Sequence, residues 1–147
     1  MKHSKIAIIG GGNLGSAIAE GLLKSKFITS DNLTITRRNV EALSDLKSLG
    51  VNVISDNRVA IQKSDVIIVA LKPYNVKEVL EGLRDNFDKS RHIVISVVTG
   101  VSLKDLTAMV AHGAPVFRAM PNTAIAIQES VTCISHEGAL NDQVNYV

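Results

Sequence analysis

Ile6-Ala7-Ile8-Ile9 runs directly into Gly10-Gly11-Gly12-Asn13-Leu14-Gly15, and an apolar stripe at helical spacing follows at Leu14, Ala17, Ile18, Gly21 and Leu22. The apolar run reads as a buried strand, the glycines as a turn and the stripe as a helix. In that order they form the first unit of a dinucleotide-binding fold. Gly10 permits the tight turn, Gly12 lets backbone approach a pyrophosphate, and Gly15 lets helix and strand pack closely. The free N–H groups and positive dipole end of the helix then face the phosphates. A purely structural strand-to-helix turn is the alternative, and the place of the glycines between a buried strand and a helix weighs against it.

Working outward, 147 residues at 46% apolar content suffice for one core and not for two full domains. The 16 Lys and Arg against 14 Asp and Glu give +2, scattered without a basic run. With aromatics at 3% and no Trp, nucleic acid is not expected as a partner. The longest apolar run, Val66 to Leu71, is far short of the roughly 18 residues of a membrane span. Lys2 and Lys5 precede only a short apolar stretch, which is no secretory signal. Cys133 is the sole cysteine, which fits a reducing cytoplasm; within Val131-Thr132-Cys133-Ile134 it reads as a small core residue.

Strands and helices alternate with short connections, the pattern of a Rossmann-type, doubly wound α/β fold: a mostly parallel sheet with helices on both faces. Further strands are expected at 33–36, 51–54, 65–70, 92–98 and 116–119. Asn39 is placed to cap a helix carrying Val40, Leu43, Leu46 and Leu49, with Gly50 ending it. A short helical piece spans 59–63, and Val76, Val79, Leu80, Leu83 and Phe87 recur at helical spacing after Pro73. Ser102 and Asp105 resemble a capping box for a helix through Ala111. Residues 1–138 are thus expected to form the dinucleotide-binding domain. Residues 139–147 look like a helix that has only begun, the start of a further domain.

Cofactor choice is written at the end of the second strand. An NAD site there usually carries an acid that accepts hydrogen bonds from the ribose, but this chain reads Thr36-Arg37-Arg38-Asn39. Two guanidinium groups and a hydroxyl favour a 2′-phosphate, so NADP(H) is expected, with NAD(H) weaker; a solvated basic turn is the alternative. Ala70-Leu71-Lys72-Pro73, Val98-Thr99-Gly100 and Met120-Pro121-Asn122-Thr123 leave successive strands at the edge where such sheets bind ligands. Taken singly, each also reads as turn chemistry, and Lys72 as a surface lysine. No nucleophile triad or metal-spaced Cys/His cluster is readable. Any catalysis is expected to rest on the cofactor, with no catalytic side chain and no metal.

Together the glycine turn, Asn57, Ala70-Leu71-Lys72-Pro73, Thr99-Gly100-Val101-Ser102-Leu103 and Arg118-Ala119-Met120-Pro121-Asn122-Thr123 resemble the N-terminal domain of pyrroline-5-carboxylate reductases. The resemblance implies reduction of a cyclic imine, 1-pyrroline-5-carboxylate, to L-proline by NAD(P)H, in proline biosynthesis. By it, Gly10 to Gly15 hold the pyrophosphate, Thr36, Arg37 and Arg38 surround the 2′-phosphate, and Asn57 lies near the adenosine. Leu71, Lys72 and Thr99, with Ala70 and Pro73 beside them, line the nicotinamide side, and Met120 to Thr123 border the substrate. It further implies a homo-oligomer for the full-length protein, built by a helical second domain that completes the substrate pocket.

Ala124 stands where that family usually has proline, and Thr99 where a small alanine is common. A related NADP-dependent dehydrogenase, a deazaflavin-linked NADP oxidoreductase and a non-catalytic nucleotide-binding module share the first half of this pattern. The Met120 to Thr123 segment is what distinguishes the reductase from them.

Overall fold

A computed structural model describes residues 4–110, 113–121 and 129–147. Its described strands form one sheet: β1 (Ile6–Ile9), β2 (Leu33–Thr36), β3 (Asn52–Ile54), β4 (Val66–Val69), β5 (Ile93–Ser96), β6 (Val116–Pro121) and β7 (Thr132–Glu137), ordered β3-β2-β1-β4-β5-β6-β7. Every neighbouring pair is parallel except β6 with β7. The order reverses direction between β1 and β4, which makes that point the crevice of the fold.

Burial follows the strand period of two. Ala7, Ile9, Ile67 and Val69 face one core cluster with residues of α3 (Asn57–Gln62), α4 (Pro73–Gly82) and α5 (Leu103–Met109). Ile6, Ile8, Val66 and Ile68 face a second cluster with residues of α1 (Asn13–Lys24) and α2 (Ser44–Ser48). The sheet is therefore covered on both faces, as the unbroken apolar runs of β1 and β4 require.

Four local expectations need correction. Asn39 does cap, its side chain accepting from Glu41 N–H at 3.2 Å, but a single 3-10 turn (Val40–Leu43) follows before α2 starts. The break lets Leu43 turn in beneath the glycine turn, where its Cδ1 would lie 2.6 Å from a Cβ on Gly11. Leu49 consequently falls off the apolar face and is 59% exposed. The helical piece expected at 59–63 starts at Asn57, because the Asp56 carboxylate accepts from Arg58 and Val59 N–H.

Cys133 is exposed, not core. It lies on β7, an edge strand whose six residues are all exposed; a short apolar run does not by itself tell a buried strand from an edge strand. The same antiparallel pairing extends β6, so Met120 and Pro121 are strand residues opposite Cys133 and Thr132 rather than loop residues. After β7 comes α6 (Asn141–Tyr146), and Tyr146 packs back on the second cluster, its ring 6.2 Å from that of Phe27.

Polar groups tie together the amino edge of the sheet. The Asp65 carboxylate accepts from Lys5 N–H at 2.9 Å and from Arg91 Nε at 3.1 Å. Burial pulls its pKa up, but these two donors outweigh burial and hold it below the usual carboxylate value. Beside it, buried His92 accepts from Asp88 N–H through Nδ1 at 3.0 Å. Burial, reinforced by Arg91, pushes the imidazole pKa down against the pull of Asp88 and Asp65.

Candidate functional site

The glycine turn leaves β1 at the carboxyl edge, and its glycines do different things. Gly10 adopts φ +111°, and a Cβ there would lie 2.5 Å from the Ala70 carbonyl oxygen, so both conformation and space demand glycine. At Gly15 a Cβ would run into the Gly10 carbonyl, which fixes how closely α1 packs on the turn. Gly11 N–H donates to Thr36 O at 2.7 Å and ties the turn to β2. Gly12 is different: its φ is −82° and a Cβ would meet nothing within 4 Å. It is the N-cap of α1, carries no capping side chain, and no acid occupies the first turn. The N–H groups of that turn are therefore left open, with the positive end of the helix dipole behind them.

The end of β2 lies beside this turn. Thr36 is buried and its hydroxyl accepts from Gly10 N–H at 3.3 Å, so it braces the turn at the edge of the cleft it lines. Arg37 donates through Nη1 to Gly11 O at 2.8 Å, which holds its guanidinium over the turn. Arg38 is exposed and has no partner among the described residues.

These pieces enclose a cleft of about 360 Å³ at the β1/β4 crevice. Of the residues singled out in the sequence, Gly10, Gly11, Gly12, Thr36, Arg37, Arg38, Asn57, Ala70, Leu71 and Lys72 line it. Other expected residues lie elsewhere. Asn13, Leu14 and Gly15 belong to α1 and Pro73 is the first residue of α4; none of them is in the lining. Thr99 follows β5, exposed and outside the lining, and Met120 and Pro121 are on β6. Asn122 and Thr123 lie outside the described residues.

Ser55, Asn75, Glu78 and Val79 line the cleft and were not anticipated. Residues 75, 78 and 79 share one face of α4 by the i, i+3, i+4 rule, and that spacing from Pro73 was the available signal. A glutamate on an amphipathic helix reads first as a solvated face, which is why it was missed. No described cluster of three or more His, Cys, Asp or Glu is arranged to hold a metal ion.

Known proteins match this arrangement. Pyrroline-5-carboxylate reductase 1 of Dictyostelium discoideum is 36% identical over 140 residues, covering 92% of this chain and 25% of the relative. The solved pyrroline-5-carboxylate reductase of Coxiella burnetii superposes with TM-score 0.90 at 30% identity, over 97% of this chain and 53% of that one. Pyrroline carboxylate reductase of Plasmodium falciparum, solved with NADP bound, shares the fold with TM-score 0.82 at 24% identity, over 99% of this chain and 53% of that one. The chain spans about half the length of most curated relatives it matches. A family model described as NADP oxidoreductase, coenzyme F420-dependent, matches residues 5–100, from the residue before β1 to the turn after β5, and the chain belongs to that family.

Proposed function

We propose that this chain is the NADP(H)-binding part of a reductase that converts 1-pyrroline-5-carboxylate to L-proline. The observation that carries the cofactor reading is the uncapped N-terminus of α1 opening into a cleft whose far wall presents Arg37 and Arg38. A pyrophosphate fits the open space at Gly12, and a 2′-phosphate fits the guanidinium groups. Arg37 is pre-positioned by its bond to Gly11, which reduces the ordering cost of binding. The substrate reading draws its support from the reductases matched over nine-tenths of the chain, well beyond β5.

Bound in the cleft, the dinucleotide would supply the hydride that reduces the imine carbon. The chain's contribution is positional: Gly12 and the α1 N–H groups anchor the phosphates, while Ala70, Leu71 and Lys72 shape the wall beyond β4. Thr99 would line the nicotinamide side, and Met120 and Pro121 on β6 would border the substrate, as would Asn122 and Thr123 by the resemblance. We assign α6 as the connection to the remaining, helical part of such a protein, which would complete the substrate pocket and form a homo-oligomer.

Two measurements test this. Calorimetry should give tighter binding of NADPH than of NADH to the 147-residue chain; equal affinities overturn the cofactor reading. NADPH oxidation with saturating pyrroline-5-carboxylate should be absent for this chain and present for the longest polypeptide its gene encodes. The family also supports a second reading. Oxidation of NADPH by a deazaflavin, with none by the imine, would replace the reductase with a deazaflavin-linked oxidoreductase.

A further inference from the structure

The cleft does not end at Arg38. It shares Ser55, Asn57, Glu78 and Val79 with an adjoining groove of about 440 Å³ that runs between the first turn of α3 and the outer face of α4. Among the described charged residues lining the cleft, Arg37, Arg38 and Lys72 are cationic and Glu78 alone is acidic.

A carboxylate in a cleft built for phosphates needs a reason. The Glu78 side chain has no hydrogen-bond or ion-pair partner among the described residues. Toward the C-terminus its own helix offers no donor, since Glu81 stands at i+3 and Gly82 at i+4, and Asn75 at i−3 lines the cleft beside it without bonding it. Glu78 is exposed at the cleft wall, and an ionised carboxylate only accepts hydrogen bonds, so a ligand seated here can be read through a donor.

Resting on the dinucleotide reading above, the direction of the ligand identifies that donor. Pyrophosphate at Gly12 and 2′-phosphate at Arg37 and Arg38 send the adenosine end toward Ser55 and Asn57, at the mouth of the groove. Val79, half-buried, offers an apolar surface to a ring face, and Gly82 leaves space beside it. We propose that Glu78 selects the base: its carboxylate accepts the exocyclic amino group of adenine seated between α3 and α4, and repels a base with a carbonyl at that position.

Calorimetric titration of the 147-residue chain with NADPH and with its hypoxanthine analogue, in which a carbonyl replaces the amino group, tests this. The parent chain should prefer NADPH by roughly tenfold or more, the worth of one charge-assisted hydrogen bond. Glu78→Gln should bring the two affinities within about threefold, because an amide can donate to the carbonyl as readily as accept from the amine. Glu81→Gln, which removes the same charge outside the cleft, should keep the parent's preference.

An unchanged preference in Glu78→Gln overturns the proposal, even where both affinities fall together, the pattern expected if the carboxylate held a ribose hydroxyl instead. So does a parent chain indifferent to the base, or a Glu81→Gln variant that loses the preference equally. A parent chain that binds neither dinucleotide overturns the cofactor reading itself, and with it this one.

Discussion

At the amino edge of the sheet Asp65 is held by Lys5 and Arg91, and His92 takes a hydrogen bond from Asp88. At the carboxyl edge Arg38, Asn57 and Glu78 line a cleft without any side-chain partner among the described residues. Both edges belong to the same strands, so the contrast does not come from the core. Polar groups that satisfy one another stabilise the chain ends of the strands, whereas groups left open are available to a ligand. Substitutions at the first edge should therefore act on stability and those at the second on binding, with the glycine turn containing both kinds within three residues.

The largest effect is expected at Gly10. Valine there combines a positive φ forbidden to branched side chains with a Cβ placed 2.5 Å from Ala70 O, which together should cost at least ~3 kcal/mol. Thermal unfolding followed by circular dichroism should show the midpoint falling by roughly 6–12 °C. A change under about 1 kcal/mol would mean that the turn relaxes and that the close approach to Ala70 is incidental.

Gly12→Val sharpens the contrast two residues on. Its backbone is already extended and a Cβ meets nothing, so stability should change by about 1 kcal/mol or less, the scale of a weaker N-cap. Affinity for NADPH and NADH alike should nonetheless fall at least ~100-fold, or about 2.7 kcal/mol, because the side chain fills the proposed phosphate site. Retained binding in calorimetry would place the dinucleotide elsewhere.

The arginines come next. Arg38→Ala removes a guanidinium that nothing in the described protein uses, so it should lower NADPH affinity by about tenfold and leave NADH affinity unchanged. Arg37→Ala also removes the bond to Gly11 O and should weaken both nucleotides. If the two variants behave identically, the Arg37–Gly11 contact does not organise the turn.

Much of this was legible because backbone requirements leave marks in sequence. The Ile6 to Gly15 stretch and the β-branched run of β4 specified a parallel sheet and its crevice, and positive φ and close packing are why glycine stands at positions 10 and 15. What escaped depended on tertiary context. The bracing of the turn by Thr36 was one such feature, since its hydroxyl meets Gly10 N–H only once the last position of β2 lies beside the turn. Cys133 looked buried because nothing local marks an edge strand. Periodicity puts Glu78 on a face with Asn75 and Val79, but only the tertiary placement of α4 gives that face a cleft to line.

The smallest effect belongs to the amino edge and appears as a pH slope. Burial lowers the His92 pKa from 6.5, so below that value the unfolded chain binds a proton that the folded chain resists. Protonation at Nδ1 also removes the acceptor for Asp88 N–H. The stabilisation from neutral His92 is therefore complete above pH 6.5 and is lost as pH falls through that value toward the lowered one. Asp31, Asp65 and Asp88 have depressed pKa values, and their contribution is lost only below pH 3.8. Urea unfolding of the parent chain should thus show stability declining as pH falls below 6.5, and His92→Gln should flatten that decline until the carboxylates begin to titrate. NADPH affinity at neutral pH should be the same in both proteins, because His92 sits at the opposite end of the strands from the cleft. A His92→Gln variant that kept the parent's slope would move the titrating group elsewhere, and one that lost nucleotide affinity would show that the two edges are coupled.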